Sequence, residues 1–191
     1  MDYKKQLIED LNKYIPFNSE EAKDKDVLLN ALNSDIDYST RDNLFGHLSA
    51  SAWVISKDKK KILMVYHNIY DSFSWLGGHA DGNYNLKEVA LKEVKEESGL
   101  KNIKLLSDDI FSVEVLTVDG HYKNNKYVNS HLHLNVTYLV EADADEEIRI
   151  KEDENSDIAW FDKDEAINKS KEEWFKQHIY KKLNDKLEQM F

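Results

Sequence analysis

The apolar residues of the N-terminal segment recur every three or four positions, which is the spacing of helix faces. They predict a first helix over residues 2–15, ended by Pro16, and a second helix that begins at Ser19 with an acidic first turn. The inner face of the second helix carries Val27, Leu28, Ala31 and Leu32. We therefore predict a helical N-terminal extension over residues 1–43, followed by a main domain over residues 44–191.

The pattern then changes to short apolar stretches that are typical of strands. Strands are predicted over residues 47–56, 62–67, 103–120, 131–142 and 158–161. Residues 73–82 read as a strand end that runs into a glycine-rich loop, and residues 123–130 read as a second loop. A helix over residues 85–98 interrupts the strands, and a helix over residues 171–191 closes the chain. This order predicts an α/β (α+β) fold with a mixed β-sheet.

Composition and charge narrow the functional classes. The formal net charge of -11 disfavours binding to a nucleic-acid duplex, so an anionic small ligand would need a metal ion or local basic residues. The absence of cysteine excludes disulfides, thiolate nucleophiles and cysteine-based zinc sites. No apolar run approaches the roughly 20 residues of a membrane span. We expect a cytoplasmic protein with no membrane partner.

The stretch LKEVKEESGL, residues 91–100, places Glu93, Glu96 and Glu97 on one helix face, where like charges repel each other. One interpretation is a solvated acidic face. The other is an all-oxygen site for a hard cation, Mg²⁺ or Mn²⁺. The preceding WLGGHADG favours the second interpretation, because adjacent glycines let a backbone carbonyl approach the same point.

Residues 77–100, GGHADGNYNLKEVALKEVKEESGL, resemble the signature box of the Nudix hydrolases. With Gly78 as its first position, the second half of the box is matched by Glu93, Val94, Glu96, Glu97, Gly99 and Leu100. The segment NSDIAWFDKDEA, residues 155–166, also resembles the strand and helix that close many Nudix domains.

The resemblance implies an αβα sandwich that hydrolyses the pyrophosphate linkage of a nucleoside diphosphate derivative. It implies Mg²⁺ or Mn²⁺ as the cofactor, a metal-activated water as the nucleophile and a small-molecule diphosphate as the partner. Glu93, Glu96 and Glu97 would be the catalytic metal ligands, with the carbonyl of Gly78 as a further ligand.

Two positions depart from the box: Tyr84 replaces its first glutamate and Lys92 its arginine. Because that pair commonly holds the loop against the helix in the family, we expect a restructured loop, with Asp81 or Glu88 as candidate substitutes. The general base stays open among Glu141, Glu146, Glu147, Glu152 and Glu154.

Three histidines and a tryptophan are candidate substrate contacts. In the strand over residues 131–142, His131 and His133 share a face, where they could form a metal pair, an anion site or ordinary hydrogen-bonded histidines. His79 lies in the predicted glycine loop, next to the predicted metal. Trp75 could stack on a base or pack in the core.

Two other functions are carried as alternatives. A Nudix-fold ligand-binding or regulatory module without catalysis would fit the departures at Tyr84 and Lys92. An enzyme similar to the isopentenyl diphosphate isomerases would fit the glycine-histidine turn, but it is disfavoured because that chemistry uses a cysteine. The amphipathic closing helix suits either core packing or a homodimer contact.

Overall fold

The computed structural model of the protein describes residues 2–123, 125–151 and 155–191. Two of the general-base candidates, Glu152 and Glu154, lie outside the described residues. Every helix within these ranges is too short or too polar to span a lipid bilayer.

Five α-helices and ten strands make up the described chain. The helices are α1 (Tyr3–Lys13), α2 (Ser19–Leu32), α3 (Leu86–Ser98), α4 (Lys163–Lys169) and α5 (Lys181–Met190), and a π-helical segment (Phe175–Tyr180) leads into α5. The strands are β1 (Gly46–Ser56), β2 (Lys61–His67), β3 (Ser72–Ser74), β4 (Leu76–His79), β5 (Ile103–Leu105), β6 (Ser112–Val118), β7 (His121–Lys123), β8 (Lys126–Val128), β9 (His131–Ala142) and β10 (Asn155–Asp162).

Eight of the strands form one mixed sheet in the order β10-β2-β1-β9-β5. Strand β3 pairs with β2, β4 with β1, and β6 with β9. The central pair β1 and β9 is parallel, and the other pairs are antiparallel. The mixed sheet predicted from the sequence is therefore confirmed.

Helices cover both faces of this sheet. On one face, α1, α2 and α3 bury leucines and valines against even-numbered residues of β1 and β9, such as Leu48 and Val136. On the other face, α4, the π-helical segment and α5 pack on odd-numbered residues of β1, where Tyr180 stacks on Trp53 at 5.5 Å between ring centroids. This is the predicted αβα sandwich with N-terminal helices.

Some predicted elements differ from the structure. Residues 103–120 are not one strand: β5 and β6 both pair with β9, and the chain between them leaves the sheet through a turn in which the Ser107 hydroxyl contacts Asp109. The predicted loop over residues 123–130 contains the end of the β7–β8 hairpin. The predicted closing helix begins only after residue 172.

Buried charges join α2 to the C-terminal helix. Glu21 of α2 accepts hydrogen bonds from the Ser112 hydroxyl at 2.7 Å and from Lys186 at 3.1 Å. Lys182 of α5 lies 3.3 Å from Glu21 and 2.9 Å from Glu114. The predicted boundary at residue 44 stays a prediction, but α2 shares its core and its ion pairs with the main domain.

Candidate functional site

The adjacent glycines lie in a strand rather than in a loop. Gly77 and Gly78 belong to β4, which pairs antiparallel with β1 so that Gly78 faces Ala50 and His79 faces Ser49. The turn that was predicted to contain them begins only after His79. The sheet therefore fixes the backbone of both glycines beside α3.

Glu97 is held rigidly against β4. Its carboxylate accepts hydrogen bonds from the backbone N–H of Gly77 at 3.0 Å and from the Asn155 side-chain amide at 3.1 Å. The residue is 4% exposed. A buried carboxylate that is fixed by two donors does not belong to a solvated acidic face.

Glu93 packs directly on Gly78. A Cβ atom placed on Gly78 would lie 2.5 Å from Cδ of Glu93, so only glycine allows this contact. Glu96 is 41% exposed on its side chain, whereas Glu93 is 13% exposed, and Lys92 lies 3.4 Å and 3.7 Å from these carboxylates, respectively. The lysine reduces the repulsion between the two glutamates.

The three glutamates and Gly78 border one cleft of about 510 Å³. The candidate metal ligands at this cleft are carboxylate oxygens beside a strand backbone, and oxygen ligands of this kind suit Mg²⁺ and Mn²⁺. The close contact of the Glu93 carboxylate with the backbone of Gly78, which a Cβ would prevent, supports the same assignment. Basic side chains also line the cleft, namely Arg41, Lys92, Lys123 and Lys151.

The turn after β4 is held by the N-terminal extension. The hydroxyl of Tyr84 donates to Asp37 at 3.0 Å, and Arg41 forms two hydrogen bonds of 2.8 Å with Asp81. Glu88 instead accepts a hydrogen bond from the side chain of Asn85 at 3.2 Å. The turn is thus tied to residues that precede β1, and Tyr84, one of the two departures from the box, takes part in this contact.

A group of four histidines occupies another wall of the cleft. The parallel register sets His47 of β1 beside His133 of β9, and β4 brings His79 to the same place. Including His131, five pairs of these rings have centroids 4.7–5.1 Å apart. The predicted same-face pair is confirmed, and His47, which had been assigned no role, joins it.

Burial and mutual repulsion keep three of these rings uncharged at neutral pH. Burial lowers the pKa of His47 and of His79 to about 4, and a neighbouring imidazole adds to each lowering. The pKa of His133 is lowered by the same causes to about 2. Each neutral ring carries one nitrogen lone pair that can bind a proton or an ion.

A buried polar layer continues the histidine face along the sheet. Asn135 accepts hydrogen bonds from the Ser49 and Ser51 hydroxyls at 3.0 Å, and its amide donates to Glu114 at 2.9 Å. Thr137 also donates to Glu114, at 2.8 Å. Through Glu114, which lies 2.9 Å from Lys182, the layer is joined to the ion pairs of α2 and α5.

Trp75 borders a smaller cavity of about 130 Å³, which also touches His79 and His133. It is 8% exposed and meets Tyr180 and Phe175 edge to face, with ring centroids 5.8 Å and 6.3 Å away. Core packing therefore accounts for most of its surface.

A carboxylate that the sequence analysis missed, Glu172, lines the smaller cavity. Burial raises its pKa. No local spacing marks this residue, because it reaches the cavity only through the packing of the C-terminal segment.

Of the described general-base candidates, Glu141 pairs with Lys59 and Glu146 accepts a hydrogen bond from the backbone N–H of Lys101. Neither of these two nor Glu147 lines either cavity.

Solved structures share this fold. An Ap4A hydrolase of C. elegans in a binary complex has a TM-score of 0.56 and 16% identity, over 74% of this chain and 98% of that chain. The Nudix hydrolase RenU of M. smegmatis has a TM-score of 0.55 and 10% identity, over 83% and 98%. The E. coli dihydroneopterin triphosphate pyrophosphohydrolase has a TM-score of 0.52 and 16% identity, over 72% and 95%. At these identities the likeness shows the fold alone.

A comparison with curated proteins gives no significant match. The NUDIX domain family, in contrast, matches residues 46–183, which is most of the sequence and includes β4, α3 and the cleft. The chain therefore belongs to the Nudix family.

Proposed function

We propose that this protein hydrolyses the pyrophosphate linkage of a nucleoside diphosphate derivative with Mg²⁺ or Mn²⁺ as its cofactor. Membership of the Nudix family supports a pyrophosphate hydrolase in general. The observation that carries the specific proposal is the glutamate face of α3, which borders the cleft beside the backbone of Gly78.

In this proposal, Glu93, Glu96, Glu97 and the carbonyl of Gly78 hold the cation. When bound, the cation neutralises diphosphate oxygens and lowers the pKa of water. The hydrogen bonds from Gly77 and Asn155 fix the Glu97 carboxylate before substrate arrives, so little reorganisation is needed.

The remaining residues attract and orient the substrate. Four basic side chains at the cleft offset its four carboxylates, so an anionic substrate meets less repulsion there than the net charge of -11 would give. The proposed substrate-facing residues are Trp75, His79, His131 and His133, each of which borders at least one of the two cavities. Glu172 joins them as a candidate proton acceptor, since a carboxyl with a raised pKa suits that role near neutral pH.

The proposal is tested with a panel of nucleoside diphosphate sugars, dinucleoside polyphosphates and nucleoside triphosphates, with Mg²⁺ or Mn²⁺. The panel includes Ap4A, which is named for the C. elegans relative. Anion-exchange chromatography of quenched reactions separates both products of each cleavage. We expect turnover of at least one diphosphate, and a loss on the order of 100-fold or more for Glu96→Gln.

Glu88→Gln is the matched control, since it changes a glutamate of the same helix that does not line the cleft. Glu96 is chosen first because its exposure makes misfolding of the variant a minor concern. No turnover on any diphosphate would favour a binding module. Equal turnover by Glu96→Gln and Glu88→Gln would refute the assigned roles of the helix carboxylates.

A further inference from the structure

The histidine cluster consists of His47, His79, His131 and His133, and it contains a buried side chain that the fold leaves unsatisfied. His47 is 4% exposed, and neither of its ring nitrogens has a hydrogen-bond partner within the described residues. The backbone of Asn43 raises the pKa of His47 slightly against the effect of burial, but it does not form a hydrogen bond of acceptable geometry with the ring. A buried ring nitrogen without a partner is destabilising, and a ligand bound at the cluster would satisfy it.

The nitrogens of the cluster converge. One nitrogen of each of His47, His79 and His133 lies within 4.8 Å of the other two. Nε2 of His131 lies 3.2 Å from Nε2 of His133. Two imidazole nitrogens bound to one tetrahedral Zn²⁺ would be separated by about 3.3 Å, given Zn–N bonds of about 2.0–2.1 Å.

A second interaction orients His131 toward this point. Its Nδ1 lies 2.8 Å from the backbone carbonyl of Asn129, which can only accept, so Nδ1 must carry the proton. The lone pair of neutral His131 is therefore on Nε2, which is the atom directed at His133. Histidines that bind metals usually donate their other ring N–H to such a carbonyl.

We propose that the histidine cluster binds one transition-metal ion of the Zn²⁺ class, separately from the oxygen site on α3. Imidazole nitrogen suits Zn²⁺, Fe²⁺, Ni²⁺ and Cu²⁺, whereas Mg²⁺ prefers the carboxylates across the cleft. Binding would satisfy one nitrogen of His47 and draw the more distant nitrogens inward by side-chain rotation. Both sites face one cleft. An ion bound by the histidines would therefore contact an anionic ligand that the metal site on α3 holds.

The test uses Zn²⁺ and Co²⁺ as probes on the full chain after chelation, with excess Mg²⁺ present to occupy the oxygen site. We expect one Co²⁺ per chain, with the visible absorption of nitrogen-coordinated Co²⁺, displaced by one equivalent of Zn²⁺. His79→Gln and His133→Gln should each weaken Co²⁺ binding on the order of 100-fold or more. Removing a residue that only orients a metal ligand already weakens metal binding by about 10- to 100-fold, and removing the ligand itself should weaken it further.

His178→Gln is the control histidine, since it lies on the far C-terminal segment beside Glu20. Zinc-edge X-ray absorption of the wild-type chain counts imidazole ligands directly, so the result does not depend on the folding of any variant. At least three imidazoles support the proposal. An oxygen-dominated shell, or an absorption lost in Glu96→Gln but kept in the cluster variants, would overturn it. Absence of Zn²⁺ binding would leave only a hydrogen-bonded cluster and would also overturn it.

Discussion

At the scale of single residues, the site depends on side chains that a neighbour leaves room for. Gly78 is the clearest case, because the carboxylate of Glu93 occupies the volume where a Cβ would stand. The backbone of Gly78 is an ordinary strand conformation that pairs with Ala50, so conformational freedom is not what demands glycine there. Glycine is required there because the Glu93 carboxylate needs the space that a side chain would take.

Gly78→Ala is therefore expected to displace Glu93 while leaving the fold intact. The clash is with the end of a flexible side chain, which can move outward at small energetic cost. We expect at least about a tenfold loss of turnover, because small misplacements of catalytic groups are costly. Steady-state kinetics and the affinity for Mn²⁺ would measure it, with circular dichroism as the check on folding. Unchanged kinetics would show that the position of Glu93 does not matter.

The sequence predicts the glutamate set but not the histidine cluster, and the reason is physical. Helical periodicity alone places Glu93, Glu96 and Glu97 on one face. The meeting of His47 with His133 requires the parallel register of β1 and β9, which pairs residues 86 positions apart and leaves no local signal. Strand alternation could reveal only the pair on β9.

At the scale of elements, a buried ionic connection ties α2 to β6 and α5. Burial alone would raise the pKa of Glu21, but Lys182 and Lys186 outweigh it and lower the pKa from 4.5 to about 2. A lowered carboxyl pKa contributes stability that is fully present above about pH 4.5 and is lost as the pH falls toward 2.

Glu21→Gln is expected to reduce the free energy of unfolding at pH 7 by about 3 kcal/mol, the value of a pKa shift of this size. The difference from wild type should shrink as the pH falls below 4.5, because Glu21 of the unfolded chain then takes up a proton while the folded chain keeps the carboxylate ionised down to about pH 2. Urea denaturation at pH 7 and pH 3 measures both. Glu20→Gln, which removes only an exposed contact with His178, should cost less than about 1 kcal/mol. A difference that is constant with pH would assign the loss to packing.

Element boundaries show a similar division between local and long-range causes. Helix α3 lies within one residue of the predicted range 85–98, with Asn85 as its N-cap and Gly99 in the left-handed conformation at φ 71° after its end. The break between β5 and β6 was missed because apolar residues flank the turn, as Leu106 and Phe111 do, and both contact the core. The apolar pattern therefore continues across the turn between β5 and β6, although the turn itself is not part of a strand.

At the scale of the whole molecule, the N-terminal extension is part of the same core. Leu11 and Leu28 are fully buried against the sheet and α3. The extension also accepts a backbone hydrogen bond from Leu48 at 2.7 Å and holds the turn after β4 through Asp37 and Arg41. Its helices were predicted from the sequence, but their attachment was not, since helical spacing does not identify the surface against which an apolar face packs.

A chain of residues 44–191 alone is therefore expected to lose cooperative unfolding and to expose apolar surface. Removal of the N-terminal extension would uncover the part of the sheet that α1 and α2 bury and would leave Lys182 without Glu21. Thermal denaturation and binding of a hydrophobic dye measure these effects. Leu28→Ala in the full chain sets the scale, at about 2–5 kcal/mol for one buried leucine.

The matched control is Ile15→Ala, because Ile15 belongs to the same extension but is 86% exposed. It should change the free energy of unfolding by no more than about 0.5 kcal/mol. If residues 44–191 instead unfold in one transition at the midpoint of the full chain, the extension is a separate unit that only rests on the domain. The cleft would then have to keep its geometry without Asp37 and Arg41, and the turnover of that shorter chain would report whether it does.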